Sequence, residues 1–400
     1  MIGAATAEAR LREAHWVHLP ELRAILALLE GEAGRTRIVG GLVRDTILDL
    51  PHAVSDIDIA TELLPDDVTE RAREAGIAVY PTGIDHGTVT LRHGTVVVEV
   101  TTLRQDVETD GRHAIVRFGT DWIADASRRD FTLNALYADM DGALFDPLGG
   151  LGDCIDARVR FIGEPAQRIA EDGLRVYRFF RFSASHGREA FDPAGLEACA
   201  AAAHSLDHLS AERVGGEIRR MLGLRHVAST LRKMVQIGLL DLSEQVVASL
   251  RGYEWQVGEP VLTARLALIL EDTEPEDLQA RWRLSNDDIG AATDLRAAAE
   301  LVEGMDLHEA VYRYPELLKD ALDVAAVRAG WGEAGKMAVR EKLFAVEKRE
   351  FPLTGADLVG HGLRPGPKLG QELRRLERLW IESEFALGKD ELLSYVEKTE

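Results

Sequence analysis

Hydrophobic and polar positions follow two different patterns along this chain of 400 residues. Up to about residue 150, short apolar runs end at glycine, proline or charged turns, which is typical of strands. Such runs occur at Ile38-Val39, in the segment DIDIA (56–60) and in IAVYPT (77–82). Two β-branched runs within residues 87–104 join around His93-Gly94 and predict a hairpin. This part of the chain is therefore predicted to contain a sheet.

Between these predicted strands, apolar residues recur at helical spacing. Helices are predicted at 6–31, between Gly41 and Pro51, at 64–76 and over SRRDFTLNALYADM (127–140). Ser127 is a suitable N-cap for the last of them. Residues 104–126 are polar and contain an Asp110-Gly111 turn, which predicts a mobile loop.

After about residue 150 the helical period takes over. The segment 163–187 is predicted to form one long helix that begins at Pro165 and ends at Gly187. Further helices are predicted at 192–203, 210–222, 226–239, 260–271, 275–283, 286–303, 307–328, 332–349 and 370–385. The fold class is therefore α+β: a small mixed head of about 150 residues, followed by an all-helical remainder.

Composition places the chain among ordinary globular proteins, with 46% hydrophobic and 29% charged residues. Cys154 and Cys199 are too few for a disulfide framework or a zinc cluster, which indicates a reducing compartment. No apolar run approaches the roughly 18 residues that a membrane span needs. We expect a cytoplasmic protein that does not associate with membranes.

The formal net charge of −21 argues against broad affinity for nucleic acids, because phosphate binding needs a basic surface. The charge is unevenly distributed, however. Arginines crowd one stretch, at positions 158, 160, 168, 175, 178, 181 and 188. An acidic protein with a local basic channel is consistent with this distribution.

Asp56 and Asp58 stand at positions i and i+2 of a predicted strand, so both carboxylates point to one side, about 6–7 Å apart at the backbone. Glu99 lies in a neighbouring apolar strand. Such acids can hold two Mg²⁺ ions, one activating an attacking hydroxyl and one neutralising a leaving pyrophosphate. The alternatives are a solvated strand edge for the aspartates and an ordinary outward-facing residue for Glu99.

Gly40 and Gly41 lie between a predicted strand and a predicted helix. Most glycine pairs are simple turns, but backbone N–H groups at such a junction can bind phosphate oxygens. Arg44, three residues further on, can add charge-assisted hydrogen bonds. Asp45 is interpreted as a structural partner of an arginine.

A second cluster consists of Arg128, Arg129, Asp130 and Asn134. It can be an exposed helix start. Arginines at a helix N-terminus oppose the macrodipole, however, and therefore suggest an external anion such as a triphosphate or RNA. Asn134 lies four residues after Asp130, on the same face of the predicted helix, and can bind a sugar hydroxyl.

The predicted long helix carries a polar stripe that includes Asp172, Arg175, Arg178 and Arg181. A solvated face with ion pairs inside the helix would account for it. Alternatively, a carboxylate can accept a hydrogen bond from a base amino group, and a guanidinium can donate to ring nitrogens or a carbonyl. An aspartate–arginine pair of this kind can read a base edge.

Taken together, these motifs resemble those of the bacterial class II CCA-adding tRNA nucleotidyltransferases, which share a family with bacterial poly(A) polymerases. The motifs are GGLVRD (40–45), DID (56–58), RRDFTLNAL (128–136), DPLGG (146–150) and EDGLRVYRFFRF (171–182). The resemblance implies a DNA polymerase β-like nucleotidyltransferase head at 1–150. It further implies a helical neck that selects the nucleotide at 151–223, a body at 224–305 and a tRNA-binding tail at 306–400.

The resemblance also implies an activity: addition of C, C and A to the tRNA 3′ end from CTP and ATP, with Mg²⁺ and release of pyrophosphate. The implied catalytic acids are Asp56, Asp58 and Glu99, with Asp56 and Asp58 as metal ligands. The implied nucleotide-binding residues are Gly40, Gly41, Arg44, Arg128, Arg129, Asp130, Asn134, Asp172, Arg175, Arg178 and Arg181. Asp172 and Arg175 correspond to the pair that reads the incoming base, and residues 104–120 correspond to a loop that helps to switch specificity from C to A.

The same motifs occur in enzymes that add poly(A), only CC or only A, so these activities remain alternatives. A nucleotidyltransferase for a small molecule is disfavoured by the long helical part, which such an enzyme does not need. A non-catalytic RNA-binding protein is disfavoured by the intact Asp56/Asp58 pair.

Overall fold

The computed structural model describes residues 2–51, 57–83, 87–109 and 114–396. The chain divides into two compact units. They are Met1–Met221 with Ser229–Asp241, and Leu222–Ala228 with Leu242–Glu400. Every residue of the predicted site belongs to the first unit.

The described strands all lie in the first unit, as the change of pattern near residue 150 predicted. They are β1 (Thr36–Val39), β2 (Ile57–Thr61), β3 (Ala78–Gly83), β4 (Thr88–His93), β5 (Val96–Thr102), β6 (Arg104–Thr109), β7 (Ala114–Phe118), β8 (Tyr137–Ala138) and β9 (Leu144–Phe145). The main sheet has the order β3-β4-β5-β2-β1-β8-β9, and β2 and β5 run parallel while the other neighbours are antiparallel.

The helices up to residue 236 pack around this sheet or follow it. They are α1 (Ala4–Arg12), α2 (Pro20–Leu28), α3 (Gly41–Leu48), α4 (Pro65–Glu74), α5 (Trp122–Ser127), α6 (Gly150–Ile155), α7 (Pro165–Glu171), α8 (Leu174–Ser185), α9 (Pro193–Ala202), α10 (Ala211–Leu222) and α11 (Ala228–Gln236). Proline stands at the first helical position of α2, α4, α7 and α9, where its missing N–H costs nothing.

The second unit contains helices and no strand within its described residues. They are α12 (Glu244–Gln256), α13 (Leu262–Ile269), α14 (Pro275–Trp282), α15 (Asn286–Glu303), α16 (Leu307–Arg313), α17 (Leu318–Arg328), α18 (Glu333–Ala345), α19 (Gly355–Gly360), α20 (Pro367–Glu382) and α21 (Lys389–Ser394). The predicted helix 307–328 is two helices, because Pro315 has no N–H to continue the ladder. No described helix is long and apolar enough to cross a bilayer.

The prediction of a helix over 127–140 was wrong. The helix α5 ends at Ser127 instead of beginning there, because Asp121 caps its N-terminus and accepts hydrogen bonds from the N–H groups of Ile123 (2.9 Å) and Ala124 (3.1 Å). A short 3₁₀ turn at Thr132–Asn134 and strand β8 follow.

The prediction of one long helix over 163–187 was also wrong, because the chain breaks between α7 and α8. Asp172 adopts an extended conformation (φ −152°, ψ 105°), and its side chain accepts a hydrogen bond from the N–H of Leu174 (3.1 Å). A Cβ on Gly173 would lie 2.7 Å from a methyl carbon of Leu206, so a larger residue at this break would have to displace that side chain. Aspartate competes with helix through such local bonds.

Two loop and helix predictions near the sheet need correction as well. Residues 104–126, predicted to be a mobile loop, contain the antiparallel pair β6–β7 and helix α5. The Asp110-Gly111 turn lies outside the described residues. The predicted helix 6–31 is divided into α1 and α2, separated by a 3₁₀ turn at His15–His18.

Candidate active site

The site begins at β2, in the middle of the main sheet between β5 and β1. Ile57 and Ile59 are buried, whereas Asp58 between them is exposed, as the alternation of the strand predicts. In the parallel register Asp58 is the partner of Glu99 on β5, and Glu99 is exposed too. The two side chains therefore share one face of the sheet on strands about 4.8 Å apart.

The donor set on this face fits a divalent ion, since carboxylate oxygens are the ligands of hard cations such as Mg²⁺. Asp56, the other predicted metal ligand, lies outside the described residues. Within the described ranges, no group of three or more histidine, cysteine, aspartate or glutamate side chains is close enough to hold a metal. The described part of the acidic cluster is thus the Asp58/Glu99 pair.

The turn from β1 to α3 depends on Gly40. Its backbone lies at φ 79° and ψ −125°, a region that disfavours residues with a Cβ. Its N–H donates to the carbonyl of Leu136 on the strand side (3.1 Å), and its carbonyl accepts the first helical bond, from Arg44 (3.0 Å). A Cβ at Gly40 would lie 3.8 Å from an Asp58 carboxylate oxygen. Gly40 therefore brings the N-terminus of α3, which begins at Gly41, beside the strand carboxylate.

Arg44 is buried and donates hydrogen bonds to two side chains. Its Nε and Nη2 donate to both carboxylate oxygens of Asp45 (2.8 and 3.1 Å), and its Nη1 donates to Oδ1 of Asn134 (2.6 Å). The pairing of Asp45 with an arginine was predicted. Because bidentate contacts fix the plane of a guanidinium, Arg44 has one defined orientation at this turn.

Arg128 and Arg129 lie at the C-terminal end of α5, where cations are favoured by the helix dipole. The argument that they oppose the macrodipole and so imply an external anion was therefore wrong. Asp125 is buried and binds both, at 2.6 Å to Arg128 and 3.2 Å to Arg129. Burial disfavours the charged form of Asp125, but the two arginines prevail and hold its pKa below the ordinary value.

Asp130 connects the cluster to α8. Its Oδ1 accepts a hydrogen bond from the Nδ2 of Asn134 (3.1 Å), and its Oδ2 accepts one from the Nε of Arg178 (2.7 Å). The 3₁₀ turn at Thr132–Asn134, and not a helix face, brings Asp130 and Asn134 together. Burial opposes ionisation of Asp130, but Arg178 and the hydrogen bonds hold its pKa below the ordinary value.

The arginines of α8 are each engaged by a group from elsewhere in the fold. Arg175 donates to Glu171 (2.7 Å) and to the backbone carbonyls of residues 168 (2.9 Å) and 128 (3.2 Å). Arg181 donates to Glu217 of α10, which is buried, and its guanidinium lies 4.2 Å from the centre of the Phe182 ring. The stripe is therefore not a solvated helix face.

Asp172, at the break before α8, is half-buried and paired as well. One carboxylate oxygen caps Leu174, and the other accepts a hydrogen bond from Arg213 of α10 (2.7 Å). Asp172 therefore stands just before α8 and Arg175 in its first turn, where the N–H of Arg175 donates to the backbone carbonyl of Asp172 (3.0 Å).

These groups meet around a cavity of about 590 Å³. It is lined by Gly40, Gly41, Arg44, Asp58, Arg129, Asp130, Asn134, Asp172, Arg175, Arg178, Arg181, Phe182 and Arg220. Of the predicted site residues, Glu99 and Arg128 do not line it, and Asp56 lies outside the described residues. The lining holds six arginines and three aspartates, so the cavity is cationic in a protein whose net charge is −21. Its volume is in the range of small-ligand sites.

Comparisons with known proteins agree with this arrangement. Residues 36–160 match the poly A polymerase head domain family, and residues 190–243 match the probable RNA and SrmB-binding site of polymerase A. The chain is 34% identical to CCA tRNA nucleotidyltransferase 1, mitochondrial, of Danio rerio over 379 residues, which cover 90% of this chain and 86% of that protein.

The chain belongs to the CCA tRNA nucleotidyltransferase family.

A bacterial relative, the CCA-adding enzyme of Limosilactobacillus fermentum, is 31% identical over 394 residues, which cover 93% of this chain and 94% of that protein. Among solved structures, the Bacillus stearothermophilus CCA-adding enzyme in complex with CTP has a TM-score of 0.76 and 26% identity, and the alignment covers 94% of this chain and 96% of that one. The prediction of an α+β nucleotidyltransferase fold is confirmed, and this family member is a nucleotidyltransferase.

Sequence reasoning missed several residues that hold the nucleotidyltransferase cavity in shape. They are Asp125, Arg168, Arg213, Glu217 and Arg220. One signal was present: Arg213, Glu217 and Arg220 recur at helical spacing in the strongly amphipathic α10. Nothing in the sequence, however, shows that this face of α10 meets the arginines of α8.

Proposed function

We propose that this chain adds C, C and A to the 3′ end of tRNA, taking the nucleotides from CTP and ATP and releasing pyrophosphate. The main observation behind this proposal is that Asp58 and the arginines of α8 line one cavity. A carboxylate that can hold a metal ion thus stands beside cationic groups that can hold a triphosphate. The alignments with relatives named CCA tRNA nucleotidyltransferase and CCA-adding enzyme cover nearly the whole chain, which supports the same activity.

The family implies divalent metal use, and we propose Mg²⁺, two ions, with Asp56 and Asp58 as ligands and Glu99 as the third acid. The parallel register that pairs Asp58 with Glu99 supports this assignment. When bound, such ions supply charge neutralisation at the triphosphate and lower the pKa of the attacking hydroxyl. Asp58 contributes by holding its carboxylate beside the N-terminus of α3, next to Gly40.

The cationic side chains bind and orient the nucleotide in this proposal. The N–H groups at the start of α3, from Gly41 on, and the fixed guanidinium of Arg44 suit phosphate or sugar oxygens. Arg178 and Arg181 suit the triphosphate, because their carboxylate partners keep them directed along one wall of the cavity. Arg129, Asp130 and Asn134 are the remaining nucleotide-binding residues. Arg128 does not line the cavity and contributes indirectly, through its hydrogen bonds to Asp125.

Base reading is assigned to Asp172, at the break before α8, and to Arg175, in the first turn of α8. Asp172 can accept from an exocyclic amino group, which both cytosine and adenine carry, and Arg175 can donate to a ring nitrogen or carbonyl. Their partners, Arg213 and Glu171, hold both side chains at the cavity, so that side chains of the protein itself select the nucleotide.

The proposal includes four further points. The boundaries of head (1–150), neck (151–223), body (224–305) and tail (306–400) follow the family resemblance, as does the role of 104–120 in switching from C to A. A cytoplasmic location is the expectation from composition. Because the cationic surface is confined in an acidic protein, we expect tRNA binding to weaken steeply with salt.

The deciding experiment incubates a tRNA that ends before CCA with CTP, ATP and Mg²⁺, followed by sequencing of the 3′ ends. The expected product ends in CCA and grows no further. Long A tails would instead indicate a poly(A) polymerase, and arrest after CC or addition of A alone would indicate a partial enzyme. Omission of CTP should prevent any extension of this substrate, since C is the first nucleotide required.

A further inference from the structure

His186 ends the arginine-bearing helix and lies away from the cavity lining. It is the C-cap residue of α8, and its side chain is 11% exposed. Its Nε2 lies 3.0 Å from Oδ1 of Asp45, and its Nδ1 lies 2.6 Å from the hydroxyl of Ser185. Asp45 is 141 residues earlier in the chain, so the contact joins the end of α8 to the first turns of α3.

The hydrogen-bond partners define the imidazole tautomer. An ionised carboxylate only accepts hydrogen bonds, so Nε2 carries the proton and donates to Asp45. Nδ1 is then unprotonated and faces the Ser185 hydroxyl, which also donates to the backbone carbonyl of Arg181 (2.9 Å). Burial lowers the pKa of His186 and outweighs the contact with Asp45, which favours the neutral imidazole. His186 thus acts as a neutral donor to a carboxylate that already binds Arg44.

This contact closes a ring of hydrogen bonds that begins and ends on α8. Its members, in order, are His186, Asp45, Arg44, Asn134, Asp130 and Arg178. The successive donor–acceptor distances are 3.0, 2.8, 2.6, 3.1 and 2.7 Å. Arg44, Asn134, Asp130 and Arg178 all line the cavity, whereas Asp45 and His186 do not.

We infer that His186 is a positioning residue for nucleotide binding, which holds Arg44 in place through Asp45 and couples α3 to α8. The imidazole supplies a donor to the Asp45 carboxylate and lies tilted beside the Phe182 ring, with ring centres 5.7 Å apart. Arg44 itself lies 5.2 Å from the centre of that ring. Without the donor, Asp45 has one hydrogen bond fewer, and the bidentate contact that orients Arg44 is weakened.

The test compares substitutions that keep or remove the donor. His186→Phe keeps an aromatic ring beside Phe182 but removes Nε2–H, and His186→Asn is polar but too short to reach Asp45. Both should weaken CTP binding about 10-fold, the order expected for losing one hydrogen bond to a charged group, with kcat changed less than about 2-fold. His186→Gln, whose amide nitrogen can donate at the Nε2 position, should restore CTP affinity to within about 3-fold of the original.

A double substitution distinguishes positioning from general damage to the fold. If His186 acts through Arg44, then Arg44→Lys and the pair Arg44→Lys with His186→Phe should have the same dissociation constant for CTP. His208→Phe, at an exposed histidine of the same unit, is the matched control and should not change that constant. Multiplicative effects in the double variant, or failure of glutamine to restore affinity, would overturn the inference.

The inference rests on the proposed function only for the choice of CTP as ligand. The dissociation constant is therefore measured by equilibrium dialysis without tRNA or turnover, alongside the 3′-end assay on the unaltered protein. If the unaltered protein binds CTP but adds no CCA, the proposed function fails while the ring can still be tested. If it adds CCA and His186→Phe and His186→Asn bind CTP normally, the inference fails alone.

Discussion

The strand carboxylates and the helix arginines of the cavity are built in opposite ways. Asp58 and Glu99 are exposed side chains whose positions follow directly from the alternation and register of two strands. Arg178 and Arg181 are instead oriented by Asp130 and Glu217, which come from distant parts of the chain. In the proposed function this difference is a division of labour: the sheet places the acids that take part in the reaction, and ion pairs between distant residues shape the surface that selects the nucleotide.

The largest expected effect comes from Asp58→Asn. Turnover should fall at least about 1000-fold, because the loss of a metal-binding carboxylate removes several kcal/mol of transition-state stabilisation. Affinity for tRNA, measured by gel shift at low salt, should stay unchanged. The control is Asp66→Asn, at an exposed carboxylate in the first turn of α4, which should retain full activity. A turnover rate near that of the unaltered protein would refute the role of Asp58.

On the arginine side, Asp125→Asn should lower the free energy of unfolding by about 3 kcal/mol at pH 7, because it leaves two arginines without their buried partner. The pKa of Asp125 is depressed in the folded state, so its stabilisation is present above the ordinary value of 3.8 and is lost as the pH falls below it. In denaturant titrations, the difference in free energy of unfolding between the unaltered protein and Asp125→Asn should be smaller at pH 3 than at pH 7.

The control for that experiment is Asp67→Asn, an exposed carboxylate on α4, which should change stability by less than about 0.5 kcal/mol at either pH. An equal loss of stability in the two variants would mean that the ion pairs of Asp125 contribute no more to the free energy of unfolding than an exposed carboxylate does.

An intermediate effect is expected from Glu217→Gln. The buried carboxylate contacts Arg181 and Arg220, and its neutral replacement leaves their positions less defined. KM for CTP and for ATP should rise about 10- to 30-fold, with a smaller change in kcat, since binding and not chemistry is affected. The matched control is Glu212→Gln in the first turn of the same helix. A fall in kcat at unchanged KM would contradict the assignment of α8 to nucleotide binding.

The smallest effect expected is from Gly40→Ala, at the turn that joins the two regions. Its backbone conformation disfavours a Cβ, so the free energy of unfolding should fall by about 1 kcal/mol. Gly152→Ala in α6, where an added Cβ meets nothing within 4 Å, should be neutral or slightly stabilising. Equal behaviour of the two variants in denaturant titrations would show that the Gly40 turn is not strained by a side chain.

The same contrast explains how much could be predicted from the sequence. The strands, the exposed position of Asp58 and its neighbour Glu99 depend on local alternation, so they could be read from a single sequence. The identity of most cavity-lining residues was also predicted, because the motifs are characteristic of the family. What failed was the local structure around the charged residues, where pairing across the fold overrides periodicity.

Three particular errors show this override. Arg128 and Arg129 end a helix instead of starting one, because Asp121 and Asp125 lie before them to cap and neutralise α5. Asp172 breaks the predicted long helix by capping Leu174 and pairing with Arg213, forty-one residues away. Glu217 was overlooked, because nothing in α10 alone indicates which arginines it contacts.

The most direct test of the division of labour is the dissociation constant of CTP in EDTA, measured for Asp58→Asn and Glu217→Gln beside the unaltered protein. Without metal, Asp58→Asn should bind CTP as tightly as the unaltered protein or more tightly, because it removes a negative charge near the triphosphate. Glu217→Gln should bind about 10-fold more weakly. Loss of binding in Asp58→Asn with normal binding in Glu217→Gln would contradict the division between reacting acids and nucleotide-choosing arginines.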